Sequence, residues 1–321
     1  SGWVQTSLQA QGVKTFVLDC KGSFNVRYLR ELMALIRRER IDVIQSHLLG
    51  SNVYCALAGF ILRRPVIATF HGGVDVAAGE RFLAAKFALL RLGANKIVAV
   101  SRALAAELGL RSPLPAERTV VIYNGIHTRG FEGPPSTRLR RQLELPEKTV
   151  LIGALGNIRV AKDYPLLLEA FSKVAVEAPD ACLVIAGQGK GRLMTELNDQ
   201  RDRLGLADRV HFLGFTDDPA EYLHNLDIFV LSSSTEGFSI ATIQAMAAGV
   251  PLVATRCGGP EEIVSAGQDG MLVPPADADA LASALLALIH APEDSRRMAS
   301  VAKSMVRKRF DIASMVAEYQ A

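Results

Sequence analysis

Glu236, in the stretch Thr235-Glu236-Gly237-Phe238-Ser239, stands between an apolar strand and a helix and is the residue of this chain best placed to do chemistry. The strand Asp227-Ile228-Phe229-Val230-Leu231 runs into three serines just before it. The carboxylate is therefore expected at the carboxyl edge of a parallel sheet, where open α/β folds place their ligands. Ser239 is the expected N-cap of the following helix, and free N–H groups at such an end suit a phosphate or a sugar hydroxyl. Gly237 allows a close backbone approach. Gln244 falls on the second turn of that helix, about 8–10 Å from Glu236 at ~1.5 Å per residue. A carboxylate and an amide at that separation suit a sugar at one end and a ribose at the other.

A second group of polar residues lies in Gly156-Asn157-Ile158-Arg159-Val160-Ala161-Lys162-Asp163, between the strand Val150–Leu155 and a helix. Arg159 and Lys162 at a strand-to-helix turn are suited to neutralising a diphosphate leaving group, where charge develops in the transition state. His71, directly after the strand Val66–Phe70, is expected at a sheet edge, where a neutral imidazole holds a hydroxyl or stabilises positive charge. His47, closing Val43-Ile44-Gln45-Ser46, is the weaker histidine candidate. No Gly-x-Ser-x-Gly elbow marks a hydrolase. Cys20, Cys55, Cys182 and Cys257 are scattered, with no C-x-x-C pair, and read as buried reduced thiols. No bound metal or cofactor is expected.

The elements that must position these residues alternate between strand and helix. Thr15–Leu18, Val43–Gln45, Val66–Phe70, Lys96–Val100 and Val120–Tyr123 form one set of strands. Val150–Leu155, Cys182–Ala186, Val210–Leu213, Asp227–Leu231 and Pro251–Ala254 form another, with helices such as Tyr164–Val176 and Leu281–His290 between them. This rhythm predicts an α/β fold of two doubly wound, Rossmann-like parallel sheets. At 321 residues and 49% hydrophobic the chain is long and apolar enough for two cores. The stretch Thr128 to Pro146, rich in Gly, Pro and charge, reads as the linker, giving domains 1–145 and 146–308 followed by a terminal helix, 309–321.

The net charge of +3 conceals an asymmetry. Residues 1–145 carry 20 Lys/Arg against 10 Asp/Glu, and residues 146–321 carry 16 against 23. A basic first half fits an anionic acceptor or peripheral contact with an anionic membrane, and Arg27, Arg30, Arg37, Arg38 and Arg40 lie on or beside one amphipathic stretch. The stripe Leu29, Leu32, Met33, Ile36 on the same stretch reads as ordinary core facing. No basic and aromatic interleaving points to nucleic acid. No apolar run reaches the roughly 18 residues of a spanning helix and no charged-then-apolar leader opens the chain, so a cytoplasmic protein is expected.

The order Glu236-Gly237-Phe238, Gln244, Ala245-Met246-Ala247 and Gly249-Val250-Pro251 resembles the E-x7-E region of the retaining GT-B glycosyltransferases of family 4. The family's second glutamate is Gln244 here, which keeps a hydrogen-bonding group without the charge. The resemblance covers almost the whole chain and implies two domains facing a cleft. It also implies a hexose passed from a UDP- or GDP-sugar to a glycan or lipid-linked acceptor, in polysaccharide or glycoconjugate synthesis and without a metal. It makes the turn holding Asn157, Arg159 and Lys162 the diphosphate clamp and sets His71 beside the donor sugar. Gly187 and Gly189 of Ala186-Gly187-Gln188-Gly189 are then near the nucleotide, and Leu213 and Gly214 near the base. Gly237, Phe238, Ser239 and Gln244 line the donor, while His47 and Asn124 of Asn124-Gly125-Ile126 face the acceptor. Gly258-Gly259 becomes a structural turn near the donor, and Phe310–Tyr319 the helix that crosses back to the first domain. Relatives open with a strand, a glycine-rich loop and a second strand that nothing here matches, so the first domain is expected to lack its first strands. Two alternatives stay open: a catalytically impaired nucleotide-binding relative or fragment, and a GT-B-type sugar-nucleotide epimerase.

Overall fold

The structure, a computed structural model, describes residues 3–19, 25–72 and 81–321. The chain divides into two compact units. One holds residues 1–99 and 105–120, the other residues 100–104 and 121–321.

The first unit is built on a sheet of β1 (Ile44–His47), β2 (Val66–Phe70), β3 (Lys96–Ala99) and β4 (Thr119–Val121), in that order. β1 pairs with β2, and β2 with β3, in parallel. The helix Val26–Arg38 lays Leu29, Leu32, Met33 and Ile36 against Ile44, Cys55, Ala58 and Val66, so the apolar stripe read from the sequence is core. Its arginines face outward, with Arg27 held by Glu31 at 2.8 Å and Arg38 by Glu39 at 2.9 Å.

Thr15–Leu18 corrects the sequence reading, because it forms no strand. It finds no ladder partner among the described residues, and Phe16 instead sits between the cations of Lys14 and Arg38, 5.3 and 5.2 Å from its ring centroid. Cys20 and Gly73 lie outside the described residues.

The second unit holds a six-stranded sheet of β5 (Val150–Leu155), β6 (Ala181–Ala186), β7 (Val210–Gly214), β8 (Ile228–Leu231), β9 (Leu252–Thr255) and β10 (Met271–Val273). Its spatial order is β10-β9-β8-β5-β6-β7. Every pairing is parallel. β6, β8 and β9 are buried along their whole lengths, which is why β6 and β8 read as unbroken apolar runs and β9 is apolar up to its terminal Thr255. The helices Tyr164–Glu177 and Ala278–His290 cover the sheet with Leu167, Phe171, Leu281 and Leu285, all fully buried. The strand sequence moves outward from β5 through β6 to β7, then restarts on the other side of β5 with β8. The topological switch point therefore lies between β5 and β8.

The second unit begins earlier than a boundary at 145/146. Residues 128–146 pack on it through contacts distant in sequence. Ser136 Oγ donates to Glu221 at 2.8 Å, the Leu139 N–H to Asn225 Oδ1 at 2.8 Å, and Arg140 forms an ion pair with Asp227. The helix Ile312–Gln320 is also tied to this unit, through a bridge between Ile126 and Asp311 and a 2.5 Å bond from Thr128 Oγ1 to Asp311. Among the described residues no helix is long and apolar enough to cross a membrane.

Candidate functional site

The loops leaving β5 and β8 are stitched together across the switch point. Ser234 donates its N–H to the carbonyl of Ala161 at 2.9 Å, and Ser232 donates its hydroxyl to the carbonyl of Lys162 at 2.9 Å. These bonds bring Lys162 Nζ to within 2.6 Å of Glu236 Oε1, with the side chains 20% and 16% exposed. The Ser233 hydroxyl donates to the same carboxylate oxygen at 2.8 Å. Glu236 is fixed by its backbone as well: its N–H reaches the carbonyl of Cys257 and its carbonyl receives the N–H of Gly259, each at 2.9 Å. Gly258 sits at φ +113 here, where a Cβ would lie 2.7 Å from the Glu236 carbonyl. The turn at Gly258-Gly259 is thus what seats the carboxylate-bearing loop.

Around the β5 end, Tyr164 Oη donates to the Gly156 carbonyl at 2.7 Å. Burial, together with the nearby charge of Glu236, raises the Tyr164 pKa well above that of an ordinary phenol. Burial is also the main reason the Cys257 thiol is pushed up to about 12, with Glu236 and Glu261 adding to it, so this sulfur is a neutral neighbour of the site.

Gly187 lies against the turn after β5. A Cβ there would stand 1.9 Å from the Gly156 carbonyl oxygen, so only glycine permits the approach. Its N–H donates to Gly214 at 2.7 Å, Gly156 donates to Ala186 at 2.8 Å, and the Gln188 N–H reaches Asn157 Oδ1 at 3.0 Å. The ends of β5, β6 and β7 are in this way drawn into one edge carrying Asn157, Gly187, Gly189 and Gly214. Leu213 is half-buried on β7, beside Gly214. Arg159 is exposed on this edge, its guanidinium in no ion pair among the described residues.

Other sequence candidates take different places. Ser239 caps the helix Ile240–Ala248, but it is buried and its oxygen already accepts from the N–H and the hydroxyl of Thr242. Phe238 is buried, with its ring packed against Tyr123 and Phe310 at centroid distances of 5.8 and 5.5 Å. Gln244 is half-buried on the same helix. Asn124 lies in the second unit, next to Gly125, whose N–H meets Met315 Sδ at 3.2 Å. Asp218 opens the helix Pro219–His224 as a cap, its side chain accepting from the N–H of Glu221. Ser233, Tyr164 and Cys257 were not singled out as site residues in the sequence. The run of three serines was visible, but which of them meets Glu236 depends on how the loop turns.

In the first unit, His47 and His71 stand together at the carboxyl edge of β1 and β2, with Nδ1 of His47 2.9 Å from Nε2 of His71. Among the described residues no three His, Cys, Asp or Glu side chains come together as metal ligands.

Residues 135–305 match the model of the family Glycosyl transferases group 1, and residues 7–129 that of Glycosyltransferase Family 4. The chain belongs to the group 1 glycosyltransferases. Among curated relatives of this glycosyltransferase, N-acetyl-alpha-D-glucosaminyl L-malate synthase of Bacillus anthracis is 28% identical over 304 residues. That match spans 92% of this chain and 78% of the relative. The lipopolysaccharide core biosynthesis mannosyltransferase LpsB of Rhizobium meliloti (strain 1021) is 30% identical over 221 residues, 67% of this chain and 60% of its own. Among solved structures, Anabaena Alr3699/HepE in complex with UDP-glucose superposes with a TM-score of 0.88 at 26% identity. It covers 99% of this chain and 89% of that one. The group 1 glycosyltransferase therefore has the GT-B type of fold, with two parallel-sheet α/β domains.

Proposed function

We propose that this glycosyltransferase moves a hexose, with retention and without a metal, from a UDP- or GDP-sugar to a glycan or lipid-linked acceptor in polysaccharide or glycoconjugate synthesis. The observation that carries the reading is the Lys162–Glu236 pair at the switch point of the second sheet. In this reading Lys162 and exposed Arg159 meet the diphosphate, supplying at the leaving group the positive charge that a metal supplies elsewhere. Glu236, released from Lys162 or sharing it, accepts from hexose hydroxyls. Asn157, Gly187, Gly189, Leu213 and Gly214 border the nucleotide. Gly237 and the backbone of Phe238 and Ser239 lead to it, and Gln244 meets the ribose. His71 serves the donor sugar, and His47 and Asn124 belong to the acceptor side. The acceptor hydroxyl gives its proton to the departing phosphate on the same face, so no protein base is needed. A UDP-sugar is favoured over a GDP-sugar by the UDP and UDP-glucose complexes of the similar Anabaena protein. The protein works in the cytoplasm, and the basic first half supports peripheral contact with an anionic membrane.

The test is to incubate the chain with UDP-, GDP- and ADP-hexoses, with and without EDTA, and to follow release of the diphosphate and the anomeric configuration of the product by NMR. Release from one donor, unaffected by EDTA and with retained configuration, supports the proposal. Inverted product, or turnover abolished by EDTA, refutes it.

A further inference from the structure

Two groups compete for the Lys162 ammonium. Its Nζ stands 2.6 Å from Glu236 Oε1, and a bound diphosphate draws the same charge. A carboxylate at a ligand edge keeps a fixed aim only while a supporting donor holds it. The Ser233 hydroxyl is such a donor, 2.8 Å from the same oxygen. An ionised carboxylate only accepts, so the hydroxyl gives its proton to Oε1 in a charge-assisted bond.

The two donors differ in how firmly they are placed. Lys162 carries its charge on four rotatable bonds. Ser233 carries its hydroxyl on one, from a backbone held on both sides. Its carbonyl accepts the hydroxyl of Thr255, at the end of β9, at 2.6 Å. Its neighbours are tied the other way, to the turn after β5: Ser232 to the carbonyl of Lys162 and Ser234 to that of Ala161, each at 2.9 Å. Ser233 and Thr255 are both fully buried. The middle serine of the run is thus pinned between two strand ends, with a short side chain that reaches Glu236 three residues on. Lys162 is the donor that can turn away and Ser233 the one that stays.

We propose that Ser233 is a positioning residue for Glu236: its hydroxyl keeps hold of Oε1 when Lys162 turns to the diphosphate, so the carboxylate stays aimed at the hexose. The contacts with diphosphate and hexose rest on the glycosyltransferase reading above. The hold of Ser233 on Glu236 does not.

The first experiment is calorimetric titration of the full chain with UDP and with UDP-glucose, without divalent metal. Ser233→Ala leaves UDP affinity within about twofold of the parent and weakens UDP-glucose about tenfold, because the loss falls on the sugar end. Ser233→Cys fills the same space with a weak donor and gives the same split, which separates the lost hydrogen bond from a packing defect. A general structural role would weaken both ligands alike. Equal loss for UDP and UDP-glucose overturns the proposal, as does unchanged UDP-glucose affinity in both variants. The second experiment needs no donor. Crystal structures of Lys162→Met and of Lys162→Met combined with Ser233→Ala, grown without nucleotide, show Glu236 still on Ser233 in the first and displaced in the second. A carboxylate already displaced in Lys162→Met, or unmoved in the combined variant, overturns the proposal. Failure of the parent to bind UDP or UDP-glucose would contradict the UDP-sugar reading, and the crystal structures would still decide the hold of Ser233 on Glu236.

Discussion

A double-mutant cycle on Lys162 and Glu236, using Lys162→Met, Glu236→Gln and the combined variant, tests the contact at the switch point. At 2.6 Å and an effective dielectric constant near 20, the attraction of the two charges is about 6 kcal/mol. Desolvation opposes it by several kcal/mol per ion. With the side chains 20% and 16% exposed, solvent screens both terms, leaving an expected coupling of about 1–3 kcal/mol. Lys162→Met alone leaves a mostly buried carboxylate with the Ser233 hydroxyl as its side-chain donor among the described residues, at a cost of about 2–4 kcal/mol. Glu236→Gln keeps an acceptor for Ser233 and costs about 1–2 kcal/mol. The combined variant then loses less than the two single losses together. Urea unfolding of the four proteins, fitted with a common slope, gives the coupling directly. Single effects that add to within about 0.5 kcal/mol would refute the pairing as an energetic contact.

Gly187→Ala forces a Cβ to 1.9 Å from the Gly156 carbonyl, so the ends of β5 and β6 must part. The variant should lose about 2–4 kcal/mol of stability and weaken nucleotide binding, read by urea unfolding and calorimetry. A loss below about 0.5 kcal/mol would contradict the close approach. Phe310→Ala empties the centre of the cluster of Tyr123, Phe238 and Phe310, where Phe310 is 1% exposed, and should cost about 3–5 kcal/mol. The Asp311 carboxyl sits below the ordinary carboxylate range, chiefly because Thr128 donates to it and then because Ala313 N–H does. A depressed folded pKa contributes stability that is complete above the unfolded value, near 4, and is lost as pH falls through the lower folded value. The urea midpoint of the parent should therefore fall more steeply below about pH 4 than that of Asp311→Asn. Parallel pH profiles would contradict this.

The sequence was most legible where burial leaves a simple pattern. Val150–Leu155 and Cys182–Ala186 are fixed by runs without polar alternation, because parallel strands covered on both faces leave no room for it. Thr15–Leu18 has the right residue types for a strand, but strand type does not supply a ladder partner. β10, only three residues long, is too short to leave a pattern of its own. Residues 128–146 looked like a linker by composition. Their partners Glu221, Asn225 and Asp227 lie 85, 86 and 87 residues downstream, and local reading cannot see them.

The same limit governs the candidate site. Glu236 and Lys162 each stood out from their own turn, whereas their contact follows from the placement of β8 beside β5. Phe238 drew notice through its motif, and its burial against Tyr123 and Phe310 depends on the distant ends of the unit. His47 and His71 were separate candidates until the pairing of β1 with β2 joined them.

The central claim is that the carboxyl edge of the second sheet binds a nucleoside diphosphate sugar through Lys162 and Glu236. Calorimetric titration of the chain with UDP, GDP, ADP and their hexose conjugates, without divalent metal, tests it most directly. The account predicts saturable binding of one nucleotide, weakened about tenfold or more by Lys162→Met, with discrimination among sugar conjugates lost in Glu236→Gln. No saturable binding of any nucleotide, or binding indifferent to both substitutions, would contradict it.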